Sequence, residues 1–238
     1  MSHFWRVAKK GKADMGEIAP ERQSPPEAPA GIQTKYRPLV AFDFDGTLTS
    51  RDSFIAFLRW RFGVRGWAAG VLALAPDAAK YVLDRDRGRL KAAAVRQFLA
   101  GMPRAELEAW AQTFASEEGR ALLRPDAVRA WRRWQGDGAR LVIVTASPET
   151  IVGPIARGLG ADLLLGTKLA FDDVGRVTGA FAGANCRGPE KVRRLREAFG
   201  DDVRLEAAYG DTDGDKEMLA LAEEQGMKVF NGTGRSSL

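Results

Sequence analysis

A short apolar run that ends in acidic residues constrains this chain more than any other feature. Leu39-Val40-Ala41-Phe42 is typical of a buried β-strand, and Gly46 breaks the pattern soon after it. Asp43 and Asp45 lie between them, and in extended backbone both carboxylates can point into the same cleft. Paired acids repel each other, so we expect a cation there or one protonated acid. The alternative is an ordinary turn with aspartates as loop residues.

The second half of the chain alternates predicted strands with predicted helices, which is typical of an α/β fold with a doubly wound parallel sheet and helices on both faces. The predicted elements are a helix from Pro125 to about Gly136, a strand over Arg140–Thr145, a helix near Pro148–Leu159, a strand over Asp162–Leu165, a hairpin within Leu169–Phe181, a helix over Pro189–Phe199, a strand over Leu205–Tyr209, a helix near Glu217–Gln225 and a strand over Met227–Phe230. Asp43, Thr145 and Asp211 each follow a predicted strand. Ligands bind at the carboxyl ends of such strands, so we expect these three residues to meet at one edge of the sheet.

The chain divides into three parts by composition and periodicity. Residues 1–36 contain several prolines among charged and small residues and predict a disordered tail. Residues 51–118 show helical spacing throughout and predict a helical cap domain of about four helices, inserted after the first strand. Residues 37–50 and 119–238 form the predicted core domain.

Histidine and cysteine usage excludes several kinds of catalytic site. The one histidine is His3, so Ser-His-Asp triads, Cys-His dyads and histidine-based zinc sites are not expected. Hydrolytic chemistry would instead use carboxylates, lysine, hydroxyls and a hard metal ion bound by oxygen. The single cysteine, the absence of a signal-peptide pattern and the absence of a long apolar run together predict a cytoplasmic protein.

Three further segments carry candidate site residues. Gly210-Asp-Thr-Asp-Gly-Asp215 supplies more carboxylates after a predicted strand, which suits Mg²⁺, although an acidic glycine-rich loop can also bind calcium. Thr145 offers a hydroxyl, with neighbouring backbone N–H groups, to phosphate oxygens, or else it caps the next helix. Lys191, near the start of a predicted helix, either offsets the crowded negative charge or is solvated.

In this order, these segments resemble the four motifs of the haloacid dehalogenase superfamily. Asp43-Phe-Asp-Gly-Thr47 resembles the first motif, Thr145 the second, Lys191 the third and Gly210–Asp215 the fourth. The helical insertion resembles the cap of the phosphoserine phosphatase-like subfamily IB. The segments Phe42–Thr49, Thr145–Pro148 and Asn185–Lys191 are similar to the subfamily IB hydrolases that include bacterial phosphatidylglycerophosphatase C. The resemblance implies a Rossmann-like core, a helical cap and a phosphatase.

The resemblance also implies a role for each acidic residue. Asp43 would be the nucleophile and form an aspartyl-phosphate, and Asp45 would protonate the leaving alcohol and then activate water. Mg²⁺ would be bound by Asp43, the backbone carbonyl of Asp45 and Asp211, with Asp215 as a ligand or as support for the ligands. An acid at position 45 favours phosphate ester hydrolysis, because the dehalogenases of this superfamily lack it. A phosphomutase would share both acids.

The remaining implied roles concern the phosphate and the substrate. Thr47, Thr145 and Ala146 would orient the phosphate, and Lys191 would hold Asp43 and the phosphoryl charge. Asp52 falls where phosphoserine phosphatases use a glutamate to bind the substrate amine, but it is shorter, and it is also well placed to cap the helix starting near Phe54.

The predicted cap combines basic, aromatic and apolar residues in its first half. Residues 51–91 contain nine Lys or Arg against four Asp or Glu. The segments Arg59–Phe62 and Val71–Leu74, with Arg65 and Trp67, suit contact with an anionic membrane surface, or else they form the core of the cap with solvated arginines. Three hypotheses follow: a phosphatase of a lipid-linked or other anionic phosphomonoester, a phosphatase of a small soluble metabolite such as phosphoserine, or a non-catalytic protein that retains the fold. No nucleic-acid partner is expected, and the sequence carries no signal for an oligomeric state.

Overall fold

The computed structural model describes residues 37–75 and 87–232, and the predicted disordered tail lies outside them. The described chain contains a five-stranded parallel sheet and a separate antiparallel hairpin. The strands are β1 (Leu39–Phe42), β2 (Arg140–Pro148), β3 (Leu163–Thr167), β4 (Leu169–Phe171), β5 (Val177–Phe181), β6 (Leu205–Gly210) and β7 (Ala222–Met227). Their order in the sheet is β3-β2-β1-β6-β7, while β4 and β5 form the predicted hairpin. The α/β class and the parallel sheet are thus confirmed.

Helices connect the strands and fill the segment after β1. They are α1 (Ser53–Ala73), α2 (Arg87–Leu99), α3 (Arg104–Glu117), α4 (Gly119–Leu122), α5 (Pro125–Gly136), α6 (Glu149–Leu159), α7 (Pro189–Phe199) and α8 (Lys216–Leu219). None of the helices within residues 37–75 and 87–232 has the length and apolar character that a membrane span requires.

The central strand β1 is buried on both faces, which explains its apolar sequence. Val40 and Phe42 belong to one buried apolar cluster, whereas Ala41 belongs to a second cluster on the opposite face. Phe42 lies 5.1 Å from the ring of Trp131 on α5 and 4.5 Å from the ring of Tyr209 on β6. This packing fixes β1 in the middle of the sheet and therefore fixes the residue that follows it, Asp43.

Helix α1 is bent at Gly63, whose φ of 64° and ψ of 178° are not helical. Before the bend, Phe54, Phe57 and Leu58 are buried. After the bend, most side chains are exposed, including Val64 and Leu72. The described part of the predicted cap therefore contains the bent α1, α2 and α3. Residues 76–86 lie outside the description, and the division of residues 51–118 into a separate domain stays a prediction.

The end of the chain differs from the prediction. The sequence predicted a helix near Glu217–Gln225 and a strand over Met227–Phe230. Instead, α8 ends at Leu219 and β7 spans Ala222–Met227. The error arose because β7 is an edge strand with three exposed polar residues, so its sequence lacks the usual strand pattern. Its hydrogen-bonded ladder with β6 and a 2.6 Å hydrogen bond from the Tyr209 hydroxyl to Glu224 override that weak preference.

Hydrogen bonds to Asp126 hold the segment after β7 against the start of α5. Its Oδ2 accepts hydrogen bonds from the backbone N–H groups of Asn231 and Gly232, both at 2.8 Å, and its Oδ1 accepts one from Ala127 at 2.9 Å. Burial opposes the charge of this carboxylate, but the N–H donors outweigh it and lower the pKa of Asp126 below 3.8. The carboxylate therefore contributes stability above its unfolded-state pKa, and this contribution is lost as the pH falls through its folded-state pKa.

We expect Asp126→Asn to lower the free energy of unfolding by about 1 kcal/mol at neutral pH, a modest loss because water screens this partly exposed carboxylate. Urea denaturation of both proteins at about pH 7 and about pH 3 measures the difference. The gap is expected to narrow at the lower pH, because the stability that the ionised Asp126 contributes decreases once the pH falls below the unfolded-state pKa of this carboxyl group. An equal gap at both pH values would show that the charge of Asp126 does not contribute.

Candidate active site

The predicted site residues meet at the carboxyl edge of three neighbouring strands. Asp43 follows β1, and Asp211 follows β6. Thr145 lies inside β2 rather than after it, because β2 continues to Pro148. The pairing of β2 with β3 is irregular between Val144 and Pro148, within the segment that contains Thr145. Since β1 lies between β2 and β6, all three residues reach one cleft.

Three carboxylates are clustered at the bottom of this cleft. Ligand oxygens of Asp43, Asp211 and Asp215 all lie within 4.8 Å of one another. Burial is the main reason why the pKa of Asp43 rises to about 7, an effect that Lys191 opposes. Burial and the neighbouring Asp215 likewise raise the pKa of Asp211. The cluster concentrates negative charge where an oxygen-binding cation would favour the ionised carboxylates.

Lys191 is buried against this cluster, with only 1% of its surface exposed. Its Nζ donates hydrogen bonds to Asp43 Oδ1 at 2.7 Å, to Asp215 Oδ1 at 2.7 Å and to the Val144 carbonyl at 2.6 Å. Burial opposes its charge, but the two carboxylates outweigh burial and raise the pKa of Lys191. The alternative of a solvated lysine is therefore wrong.

Asp215 is held in place by its own loop. Its Oδ2 accepts hydrogen bonds from the backbone N–H groups of Asp211 and Thr212 and from the Thr212 hydroxyl, at 2.9 to 3.2 Å. These bonds form a reciprocal cap of a short 3₁₀ turn that directly follows a strand. A calcium loop of the helix-loop-helix type does not have this geometry. Asp213, in the same loop, is 84% exposed and pairs with Lys216 at 2.8 Å, away from the cluster.

Gly46 makes room for the cluster. Its φ is +87°, and a Cβ atom built on it would lie 2.1 Å from Asp211 Oδ2. Both the backbone conformation and the contact with a carboxylate require glycine here. This explains why glycine follows the second aspartate of the first motif.

The carboxylate of Asp45 does not join the acidic cluster. Its Oδ1 accepts a 2.7 Å hydrogen bond from the backbone N–H of Ser53, and its Oδ2 accepts a short hydrogen bond from the hydroxyl of Ser147. Burial, followed by the charge of Asp52, raises the pKa of Asp45. Any contribution of Asp45 to a metal site would thus come from its backbone carbonyl, the ligand atom that the family resemblance implies. The side chain is oriented towards the helical insertion.

A group of polar residues beside Asp45 was missed by the sequence analysis. Lys91, on α2, donates a 3.1 Å hydrogen bond from Nζ to Ser147 Oγ and lies 3.8 Å from Asp52 Oδ2. Asp52 Oδ1 accepts a hydrogen bond from the Ile55 N–H at 2.9 Å, so the predicted helix-cap role of Asp52 is confirmed. Nothing in the sequence marks Lys91, because only the folded chain brings α2 against β2. Ser147 could have been noticed, since it lies two residues after Thr145 at the end of the same strand.

The cleft above these residues has a volume of about 520 Å³. Asp43, Asp45, Thr145, Ala146 and Lys191 line its floor together with Asp211 and Asp215. Its upper wall is mostly apolar and consists of Phe54, Ile55, Leu58, Trp67, Val71, Leu74, Leu90 and Ala94.

The structure changes the interpretation of two further residues, Thr47 and Arg187. Thr47 is buried but does not line the cleft, and its hydroxyl has no hydrogen-bond partner, so the structure does not place it where it would contact a phosphate. Its neighbour Leu48 is also buried, which indicates that this part of the turn faces the core. Arg187, by contrast, lines the cleft and donates a 3.2 Å hydrogen bond to Thr212, although the sequence analysis assigned it no role.

Comparisons with known proteins agree with this arrangement. The family model described as haloacid dehalogenase-like hydrolase matches residues 40–220. The chain is 62% identical over 194 residues to Protein CicA of Caulobacter vibrioides, covering 82% of this chain and 87% of that protein. It is 30% identical over 199 residues to a probable phosphatase, Rv3661, of Mycobacterium tuberculosis, covering 81% of this chain and 68% of that protein.

A solved structure shares the fold. The structure of a substrate-bound phosphoserine phosphatase complex has a TM-score of 0.56 and 21% sequence identity, covering 80% of this chain and 85% of that chain. At this level of identity the likeness concerns the fold alone.

Proposed function

We propose that this chain, which belongs to the haloacid dehalogenase-like hydrolase family and is a phosphatase of that family, requires magnesium and hydrolyses phosphomonoesters. In this proposal Asp43 is the nucleophile. One observation carries the proposal. The Asp43 carboxylate is fixed by Lys191 within a cluster of acids, while the carboxylate of Asp45 is held separately on the side of the cleft that faces the helical insertion. The two acids thus have different environments and can perform different tasks.

The reaction has two steps, and each uses both acids. In the first, a carboxylate oxygen of Asp43 attacks phosphorus, the bond between phosphorus and the ester oxygen breaks, and Asp45 gives a proton to the leaving alcohol. In the second, water attacks the phosphorus of the aspartyl-phosphate, Asp45 takes a proton from that water, and the bond between Asp43 and phosphorus breaks. The products are the alcohol and inorganic phosphate, and the enzyme returns to its starting state.

Other residues position the phosphoryl group. Lys191 orients the Asp43 carboxylate and offsets the charge that develops on the phosphoryl oxygens. The Thr145 hydroxyl oxygen accepts a 3.1 Å hydrogen bond from the Ser147 N–H, so its own hydrogen is available to a phosphate oxygen. Ala146 lines the floor beside it and would contribute its backbone N–H. Thr47 is not part of this proposal, since it does not reach the cleft.

The residues present fit a magnesium ion. When all three are ionised, Asp43, Asp211 and Asp215 carry two more negative charges than Lys191 compensates, and the donors are all carboxylate oxygens, which Mg²⁺ prefers. Asp43 and Asp211 would hold the ion, with the Asp45 carbonyl and with Asp215 as a ligand or support. When bound, the ion would neutralise charge on the phosphoryl group.

The shape of the cleft supports an amphiphilic substrate such as phosphatidylglycerophosphate or another lipid-linked phosphate. A small polar metabolite would leave the apolar upper wall facing water, whereas an alkyl or acyl chain would cover it.

The surface next to the cleft supports contact with an anionic membrane. Val64 and Leu72, both 77% exposed, lie after the bend in α1, as does the exposed Arg65, and the exposed Arg59 precedes the bend in the same helix. Trp60 and Phe62, by contrast, pack against the core and are not part of this surface.

Phosphate release from a panel of esters tests the proposal. We expect release from phosphatidylglycerophosphate in micelles to exceed release from phosphoserine and small sugar phosphates, to stop with a chelator and to return with added Mg²⁺. With anionic vesicles, release is expected to fall as salt rises. Release that persists with the chelator would contradict the metal requirement, and a preference for phosphoserine would contradict the lipid substrate.

A further inference from the structure

The wall of the cleft beside Asp45 carries a paired acid and base. Asp52 and Lys91 both line the cleft, and 3.8 Å separates Asp52 Oδ2 from Lys91 Nζ. The Lys91 side chain is 15% exposed and that of Asp52 is 33% exposed, so the pair is partly shielded from water. Shielding strengthens the interaction of both charges with anything that enters the cleft.

This pair is connected to the general acid through one hydroxyl. Lys91 Nζ donates to Ser147 Oγ at 3.1 Å, and the Ser147 hydroxyl donates to Asp45 Oδ2. Ser147 is fully buried and lies on β2, whereas Lys91 lies on α2. Two hydrogen bonds therefore separate the Lys91 ammonium from the carboxylate of Asp45, a distance of roughly 6 Å at most.

The position of Asp45 determines which part of a substrate meets Lys91. A general acid must lie within hydrogen-bond reach of the leaving oxygen. The first few atoms of the leaving group beyond that oxygen then lie within the field of Lys91 and Asp52. A charge on those atoms would interact with this pair more strongly than it would in open solvent.

Both carboxylate oxygens of Asp52 already have a partner within this protein. Oδ1 accepts the hydrogen bond of the Ile55 N–H, and Oδ2 faces Lys91. An ammonium group on the substrate would need to displace Lys91 from Asp52 and would then lie beside a like charge. A carboxylate or phosphodiester group in the same place would instead be attracted by Lys91.

We propose, on the basis of the phosphatase function proposed above, that Lys91 is a specificity-determining residue. By pairing with the carboxylate of Asp52, it selects phosphomonoesters whose leaving group is anionic or uncharged over those whose leaving group carries an ammonium group. Lys91 acts here as a charge filter next to the ester oxygen. The apolar upper wall then accommodates the remainder of an amphiphilic substrate.

Three esters that differ only in the charge at the end of a short chain test the filter. They are 3-phosphonooxypropionate, propyl phosphate and O-phosphoethanolamine, assayed with Mg²⁺ for kcat/KM. In the wild-type protein we expect the carboxylate ester to exceed the ammonium ester by about 10- to 100-fold. In Lys91→Met, which retains the length and apolar stem of the side chain, we expect this ratio to fall by at least about tenfold, because Asp52 becomes available to the ammonium group.

A second substitution separates the filter from a structural role of Lys91. In the double variant Asp52→Asn with Lys91→Met, the gain for the ammonium ester is expected to disappear, since the freed carboxylate is absent. Asparagine is also a good N-cap, so helix α1 keeps its capping residue. Lys91→Arg retains the positive charge and is expected to retain the wild-type order of the three esters.

The outcomes are distinct. If Lys91→Met and a second variant, Lys91→Gln, change kcat/KM for all three esters by the same factor while remaining folded by circular dichroism, Lys91 is only a structural link and the filter is wrong. The phosphatase function would stand in that case. If the wild-type protein releases no phosphate from any of the three esters or from p-nitrophenyl phosphate with Mg²⁺ present, the proposed function is wrong and the filter falls with it.

Discussion

Replacing Asp43 by asparagine is expected to reduce phosphate release on the order of 10⁴-fold or more, to the background of the assay. Asparagine has nearly the same size and can still accept a hydrogen bond from Lys191, but its amide cannot form the acyl-phosphate. The fold should persist, because Lys191 keeps its contacts with Asp215 and the Val144 carbonyl. Initial rates with saturating Mg²⁺ measure the loss, and thermal unfolding checks the fold.

Asp213→Asn is the matched control for this experiment. Asp213 is also an aspartate of the strand-end motifs, but it is exposed and pairs with Lys216 instead of joining the cluster. Its replacement is expected to leave the rate within about twofold of wild type, in line with the small effect of exposed ion pairs. Retention of full activity by Asp43→Asn, or an equal loss in both variants, would contradict the assignment of the nucleophile.

Replacing Lys191 by methionine is expected to have the largest effect on stability, as well as a large effect on activity. Nζ supplies three hydrogen bonds within a buried site, two of them to carboxylates. Without the ammonium, the buried carboxylate of Asp215 loses its cationic partner and Asp43, whose pKa is already raised to about 7, has to take up a proton or remain an unpaired buried charge, so the free energy of unfolding should fall by about 3–5 kcal/mol at neutral pH in the absence of metal. Urea denaturation in the presence of a chelator measures this loss.

Added Mg²⁺ should return part of the lost stability to Lys191→Met, because a cation in the cluster compensates the same carboxylates. The activity of this variant is nevertheless expected to remain at least about 100-fold below wild type, since the metal does not orient Asp43 as the lysine does. Lys216→Met, at a lysine that is 65% exposed, is the control and should be close to wild type in both assays. A stability loss of the same size in both lysine variants would contradict the role given to burial.

The sequence predicted the sheet wherever a strand is buried on both faces. β1, β2 and β6 are predominantly apolar because each is covered on both sides, with Glu206 as the charged residue within β6, and their positions followed directly from that pattern. The edge strand β7 was misassigned because Glu223, Glu224 and Gln225 are exposed and resemble a helix surface. Its extended conformation depends on hydrogen bonds to β6, a tertiary effect that local propensity does not contain.

Site residues that directly follow a central strand could be predicted from the sequence. The burial and contacts of site residues that lie on helices could not. Asp43 and Asp211 converge because parallel strands end at the same edge. Lys191 was among the predicted candidates and lies against Asp43 in the structure, although its burial could not be inferred from a charged helical sequence. Lys91 was missed because the contact between α2 and Ser147 joins residues 56 positions apart, with no motif at either end.

The loop that leads into α7 contains a cysteine whose reactivity depends on whether this loop is closed or open. Cys186 is the sole cysteine of the chain, it is fully buried, and it lies five residues before Lys191. Its backbone N–H donates to Thr167 at 3.0 Å, and burial raises the pKa of its thiol to about 11. Both shielding and the scarcity of thiolate at neutral pH make the folded state unreactive towards alkylating reagents. The rate at which an alkylating reagent modifies the unaltered protein therefore measures how often this loop opens, next to the residue that anchors the nucleophile.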